Sequence, residues 1–216
     1  RVLIDGLLTR EQTIKISTIS YLLGIVIGLV IVRYREPRVF WLGVAGVALA
    51  FFYHAPPLKL SYRGFGELAV GISYGPLITA GTFLVQHGTV TLEVILISVV
   101  LGLLIAAFLW ANEFPDYKAD LASGRNNLVV QLGRAKAARA FVAIVALAGA
   151  VLAFLPLAGV PVGVWLGAFS LVPAVISCRI LLRNAEVTSS VVPAQAMILL
   201  SFVLYALGSG IGLLLS

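Results

Sequence analysis

Leu92-Glu-Val-Ile-Leu-Ile-Ser-Val-Val-Leu-Gly-Leu-Leu-Ile-Ala-Ala-Phe-Leu-Trp-Ala-Asn112-Glu-Phe-Pro-Asp116-Tyr-Lys-Ala-Asp120 is apolar from Val94 to Ala111 and ends in an amide and two carboxylates four residues apart. A run of this length is long enough to cross the hydrocarbon core as a helix. It lacks the alternation of a barrel strand, and in lipid only helices and closed barrels satisfy the backbone. The fold class expected is therefore all-α, a polytopic transmembrane helical bundle. At helical spacing a four-residue step turns the side chain by only about 40°, so Asn112, Asp116 and Asp120 share one face over about two turns. Carboxylates at the edge of the membrane are costly and mark a functional site by default, with a cation as partner. Hard oxygen ligands in so open an arrangement suit Mg²⁺ shared with substrate phosphates better than a closed cage. A merely solvated juxtamembrane face is the competing reading, because Asp-x-x-x-Asp alone is a weak pattern.

The rest of the chain follows the same pattern. Of its 216 residues, 61% are hydrophobic and 11% charged, the composition of a membrane protein. Seven spans are expected, at 13 to 32, 39 to 54, 67 to 86, 91 to 112, 138 to 155, 161 to 182 and 191 to 214. Breaks at Arg35-Glu36-Pro37, Pro56-Pro57, Gln86-His87-Gly88, Pro156 with Pro161, and Arg183-Asn184 separate them. Residues 1 to 216 read as one transmembrane domain. Arg1 to Glu11 is polar and lacks the apolar core of a cleavable signal, so the chain is expected to begin inside a loop. The lone Cys178 excludes an intrachain disulfide and reads as a small buried hydrophobe.

Net charge is +6, and its distribution carries more than its sum. Arg1, Arg10, Lys15, Lys59, Arg63, Lys118, Arg125, Arg134, Lys136, Arg139, Arg179 and Arg183 fall on one side of the membrane, twelve of the fifteen basic residues. Only Arg33, Arg35 and Arg38 fall on the other. The positive-inside rule makes the first side cytoplasmic, in a cell membrane, and the excess reads as topology with no nucleic-acid partner implied. Both long polar loops, 55 to 66 and 113 to 137, open there.

The first of those loops carries Tyr53-His-Ala-Pro-Pro-Leu-Lys59-Leu-Ser-Tyr62-Arg63-Gly-Phe-Gly66-Glu67. Lys59 and Arg63 are placed to neutralise an anion, and Gly64 and Gly66 allow close backbone approach. Membrane lipid headgroups are the alternative partner for both cations. Glu67 reads as a residue favouring a helix N-terminus. His54 and His87 have no metal-ligand partner at helical spacing. Gly24 with Gly28, and Gly208 with Gly212, have the spacing that lets helices pack closely. Gly75-Pro76 is expected to loosen its helix.

With these stretches in place, the chain resembles a family. Asn112-Glu-Phe-Pro-Asp116-Tyr-Lys-Ala-Asp120-Leu-Ala-Ser-Gly124-Arg-Asn-Asn-Leu-Val-Val-Gln-Leu-Gly133 resembles the second aspartate-rich motif of the UbiA superfamily of intramembrane prenyltransferases. Tyr53 to Lys59 and Gly64-Phe-Gly66-Glu67 are similar to the loop before that family's fifth helix, above all in the menaquinone-pathway branch that prenylates 1,4-dihydroxy-2-naphthoate. Members have nine transmembrane helices and a first aspartate motif after the second. Arg1-Val-Leu-Ile-Asp-Gly6 resembles the segment just beyond that motif, so this chain is expected to be the last seven of nine helices.

The resemblance implies a mechanism. Asp116 and Asp120 bind Mg²⁺, which bridges to an isoprenyl diphosphate, with Asn112 close by. Lys59, Arg63, Lys118 and Arg125 form the cationic side of the diphosphate clamp. The allylic cation left by departing diphosphate is attacked by an aromatic, quinone-precursor acceptor, with Tyr53 and Tyr74 as candidates to stabilise it through their π faces. A lipid glycerol-phosphate acceptor is the alternative within the family. A secondary transporter is the alternative outside it, and predicts charges at mid-membrane and internal repeats.

Overall fold

The computed structural model describes residues 6–216; most of the Arg1 to Gly6 stretch that resembles the segment after a first aspartate motif lies outside the described residues. The regular structure described is helical throughout. Helix α1 (Arg10–Tyr34) opens with a capping box: Thr9 Oγ1 accepts from Gln12 N at 3.2 Å, and Gln12 Oε1 accepts from Thr9 N at 2.8 Å. It is followed by α2 (Val39–His54), α3 (Gly66–Ile72), a π turn at Ser73–Leu77 and α4 (Ile78–His87). Then come α5 (Leu92–Ala122), the short α6 (Leu128–Leu132) and α7 (Arg134–Phe154). Two 3₁₀ stretches, Leu155–Ala158 and Val162–Ser170, lead into α8 (Leu171–Asn184), and α9 (Thr188–Leu214) ends the chain. Among the described residues, six helical stretches are long and apolar enough to cross a membrane, and α2 is a shorter apolar seventh. The protein is an integral membrane protein built as a helical bundle.

One boundary differs from expectation. Helix α5 does not stop at 112 but runs to Ala122, so the aspartate motif is helical where a loop over 113 to 137 was expected. Pro115 removes a single backbone donor from this stretch. The turn around it is held from outside: Arg134 donates to the Phe114 carbonyl at 3.1 Å, and its guanidinium lies 5.0 Å from the centre of the Tyr117 ring.

Helix α5 is the axis of the bundle, packing on α3, α7 and α9. Phe114, Phe141, Leu104, Leu152, Leu181, Ile198 and Tyr205 fill its core, all fully buried. Where α3 and its π turn meet α5 the backbones nearly touch: a Cβ on Gly102 would meet Gly71 O at 2.7 Å, and one on Gly75 would meet Gly102 Cα at 2.6 Å. The Gly75-Pro76 pair is the site of the π turn, as its looseness predicts. Gly208 and Gly212 seat α9 against Leu166 and Gly163 in the same manner. Gly24 and Gly28 do not behave so, since a Cβ on either meets nothing within 4 Å among the described residues. Helices α1 and α2 bury no residue and form an apolar arm whose surroundings must themselves be apolar.

Candidate active site

The polar end of α5 meets two loops, and their contacts are what gather the site. From the 123–127 loop, Arg125 Nε donates to Ser61 O at 3.2 Å and Asn126 N to Tyr62 O at 3.3 Å, tying it to the α2–α3 connection. Ser61 Oγ donates to Tyr53 O at 2.8 Å and lies 3.0 Å from His54 Nδ1, which fastens that connection to the end of α2. Asn127 caps α6 by accepting from Val130 N at 2.9 Å, and Glu67 accepts from Leu128 N at 3.2 Å, so two residues remote in sequence satisfy the same helix start.

Asp120 is buried at 8% exposure, and both its oxygens are engaged. Oδ2 accepts from Asn127 Nδ2 at 2.7 Å, and Oδ1 lies 3.5 Å from Arg125 Nη1. Asp116, one turn earlier, is exposed, and Asn112, one turn before that, is half-buried. The three share the face that their spacing predicts. Among the described residues no three His, Cys, Asp or Glu side chains gather into a closed metal cage. The donor set is instead one oriented and one free carboxylate, which fits a hard cation that takes its remaining ligands from water or phosphate.

Tyr53 stands over the start of α3, close enough that a Cβ on Gly66 would meet its hydroxyl at 3.5 Å, and that hydroxyl faces Arg125. The remaining expected cations stay outside. Lys59 lies 5.9 Å from the centre of the Tyr62 ring, and neither it, Arg63 nor Lys118 pairs with an acid among the described residues; all three are exposed. Lys59 also holds φ at 45°, the left-handed region that a non-glycine residue enters only at a cost. Tyr74 is exposed on the span itself and joins none of these contacts.

Two acids that the sequence did not assign to the site join it: Glu67, which does stand in the first turn of α3 as a residue favouring a helix N-terminus, and Glu113. Glu67 and Glu113 are each 3% exposed and stand side by side, with Arg125 Nη2 4.0 Å from Glu113. One oxygen of each carboxyl has no partner. Their signal was present, since Glu113 lies inside the aspartate motif and Glu67 ends the Gly64-Phe-Gly66-Glu67 segment, but nothing local announces that they meet. Arg134 was expected only as loop charge. It is 5% exposed and donates to Glu186 O at 2.8 Å and Thr188 Oγ1 at 3.0 Å, locking the α8–α9 turn to the same end.

A match to the UbiA prenyltransferase family model covers residues 1–203. The chain belongs to that family. Its similarity to a 1,4-dihydroxy-2-naphthoate octaprenyltransferase of Bacillus subtilis is 28% identity over 57% of this chain and 40% of the relative. A 2-carboxy-1,4-naphthoquinone phytyltransferase of Synechocystis is 34% identical over 57% of this chain and 41% of its own length. A 1,4-dihydroxy-2-naphthoate octaprenyltransferase of Mycobacterium tuberculosis is 30% identical over 74% of this chain and 55% of its own. The chain thus spans about half the length of the curated relatives it matches. No solved structure matches.

Proposed function

We propose that this chain carries one side of an intramembrane prenyl-transfer site, in which an isoprenyl diphosphate donates its prenyl group to an aromatic acceptor of the 1,4-dihydroxy-2-naphthoate kind. The observation that carries the reading is the pair Asp116 and Asp120 on one face of α5, with Asp120 oriented by Asn127 and Arg125 at the polar end of an apolar bundle. Asp116 and Asp120 are the residues that would hold Mg²⁺, with Asn112 beside them, and the ion would supply charge neutralisation for a departing diphosphate. Lys59, Arg63 and Lys118 are exposed on the same end, free to swing onto the phosphates. Arg125 is shared between two carboxylates and a carbonyl, so we assign it to ordering Asp120 ahead of gripping phosphate. Tyr53, beside the start of α3 and facing Arg125, is the ring we assign to stabilise an allylic cation through its π face. The apolar spans exclude water that would otherwise capture that cation.

Family membership supports this reading, as do the naphthoate-directed names of the relatives. Among the described residues the buried charged side chains Glu67, Glu113, Asp120 and Arg134 lie at one end of the bundle, which favours this reading over a transporter with charges at mid-membrane. The site loops are assigned to the cytoplasm on the basic excess. In the full-length protein, Asp116→Ala and Asp120→Ala are expected to fold normally yet lower Mg²⁺-dependent diphosphate release by at least about 10²-fold, the scale of losing a principal electrostatic contact to the transition state. Turnover at the parental rate in both variants would remove the assignment.

A further inference from the structure

A pocket of about 330 Å³ opens between the first turns of α7 and the last turn of α8, and none of its lining residues is among those assigned to the carboxylate site. Ala138 and Ala185 are buried in its wall, small side chains that leave space where the two helices pack. Its rim is fixed by hydrogen bonds: Arg134 donates to Glu186 O at 2.8 Å and to Thr188 Oγ1 at 3.0 Å, and Val187 N donates to Asn184 O at 2.9 Å. Charge is what sets this pocket apart. Arg139 of α7 and Arg183 of α8 both line it, with Lys136 three residues before the first and Arg179 four residues before the second, each on the same face of its helix. All four cations are exposed, and none pairs with an acid among the described residues. Arg139 makes one long hydrogen bond, from Nε back to Ala135 O at 3.5 Å, which leaves its two Nη groups open. A single acid, Glu186, lines the pocket against them. Like charges four apart repel, so an anion here relieves the Arg179 and Arg183 pair as well as binding to it.

The surface beside the pocket selects the occupant. Val172, Val175, Ile176, Arg179 and Arg183 recur along α8 at three- and four-residue spacing, and all are exposed. This stripe is apolar along the span and basic at its end. Leu182, 51% exposed, carries the apolar surface to the lip of the pocket. A free phosphate would satisfy the guanidinium groups and leave the stripe bare, and an aliphatic chain alone would leave the arginines unpaired. We propose that this pocket binds an anionic phospholipid of the membrane: its phosphate lies between Arg139 and Arg183, and its acyl chains run down the exposed stripe of α8. Basic pockets between spanning helices suit anionic headgroups, and a guanidinium can grip two phosphate oxygens at once. A zwitterionic headgroup brings its own ammonium, which four cations against one acid disfavour. The site stands on the pocket and the stripe, independently of the prenyl-transfer reading.

The test uses delipidated full-length protein in detergent, titrated with dioleoylphosphatidylglycerol or dioleoylphosphatidylcholine and followed by native mass spectrometry and thermal unfolding. Phosphatidylglycerol is expected to bind saturably and to raise the unfolding temperature, with phosphatidylcholine weaker by about tenfold or more. Arg139→Gln combined with Arg183→Gln is expected to lose one tightly bound phosphatidylglycerol, while its unfolding temperature in phosphatidylcholine and its KM for prenyl diphosphate stay at the parent's values. Arg139→Lys combined with Arg183→Lys keeps the charge and is expected to recover most of the binding. Glu186→Gln removes the opposing acid and is expected to tighten it. Equal binding of the two lipids by the parent would leave these arginines to membrane topology alone and overturn the proposal. Unchanged phosphatidylglycerol binding in the double Gln variant would overturn it too, and should that variant not fold, unchanged binding in Glu186→Gln decides in the same sense. Displacement of the lipid by inorganic diphosphate would give the pocket to a soluble phosphate and overturn it as well. None of these readouts needs prenyl transfer to occur, so a failure of that reading is seen separately, as absence of turnover in the parent.

Discussion

At the scale of single residues, the site divides into what helical spacing exposes and what only folding brings together. Asn112, Asp116 and Asp120 were legible because a four-residue period is local, and the helix keeps them on one face. The partners of Asp120 were not, since the orientation of its carboxylate depends on Asn127 and Arg125 beyond the end of the helix. Glu67 and Glu113 were still harder to read, because their meeting depends on how α3 packs on α5. Lys59 offers the sharpest residue-level test. Its left-handed conformation, φ 45°, costs a lysine about 1–2 kcal/mol that a glycine does not pay. If the ammonium serves the diphosphate, conformation and chemistry pull apart: Lys59→Gly is expected to match or exceed the parent in thermal unfolding while raising the KM for prenyl diphosphate about tenfold or more. Equal kinetics with raised stability would show that the turn needs only the backbone.

At the scale of elements, the spans were read almost to the residue where apolar runs end in prolines or charges, and misread where a polar motif continues a helix. The expected end of α5 at 112 followed the hydropathy, but the helix persists to Ala122 because Arg134 and the α6 segment pack against its polar turns. Small-xxx-small spacing shows the same limit: Gly208 and Gly212 pack, whereas Gly24 and Gly28 do not among the described residues. Spacing says that close approach is possible, and only a partner helix makes it real. Gly102→Ala is therefore expected to destabilise the protein by about 1–3 kcal/mol, since the new methyl would meet the Gly71 carbonyl at 2.7 Å and backbone yields poorly. Gly24→Ala, which meets nothing within 4 Å among the described residues, is expected to leave the unfolding midpoint unchanged or raise it slightly through helix propensity. Thermal unfolding of both in one detergent compares them directly.

At the scale of the whole molecule, the contacts sort every connection to one of two ends. Arg125 and Asn126 join the α5–α6 loop to the α2–α3 connection, and Arg134 joins the α8–α9 turn to the same end. At the other end Arg38 donates to Gly88 O, and the carboxylate of Glu93 lies 3.9 Å from where a Cβ on Gly159 would sit. The dissenting basic cluster at 33 to 38 belongs to that second end, and its charge is partly cancelled there. Glu36 accepts from Arg38 Nε and Nη2 at 2.8 Å each, and this pairing holds the Glu36 carboxyl down at about 2, so the pair stays ionised at any physiological pH. Acidic residues weigh little in this bias, so the cytoplasmic placement proposed for the first end rests on the twelve-to-three division of the basic residues. With Cys178 replaced by Ala, a cysteine at Lys136 is expected to react with a membrane-impermeant maleimide only in inverted vesicles, and one at the highly exposed Leu157 only in intact cells. The reverse pattern would put the carboxylate site outside the cell, where it would meet neither cytoplasmic isoprenyl diphosphate nor Mg²⁺ at cytoplasmic levels.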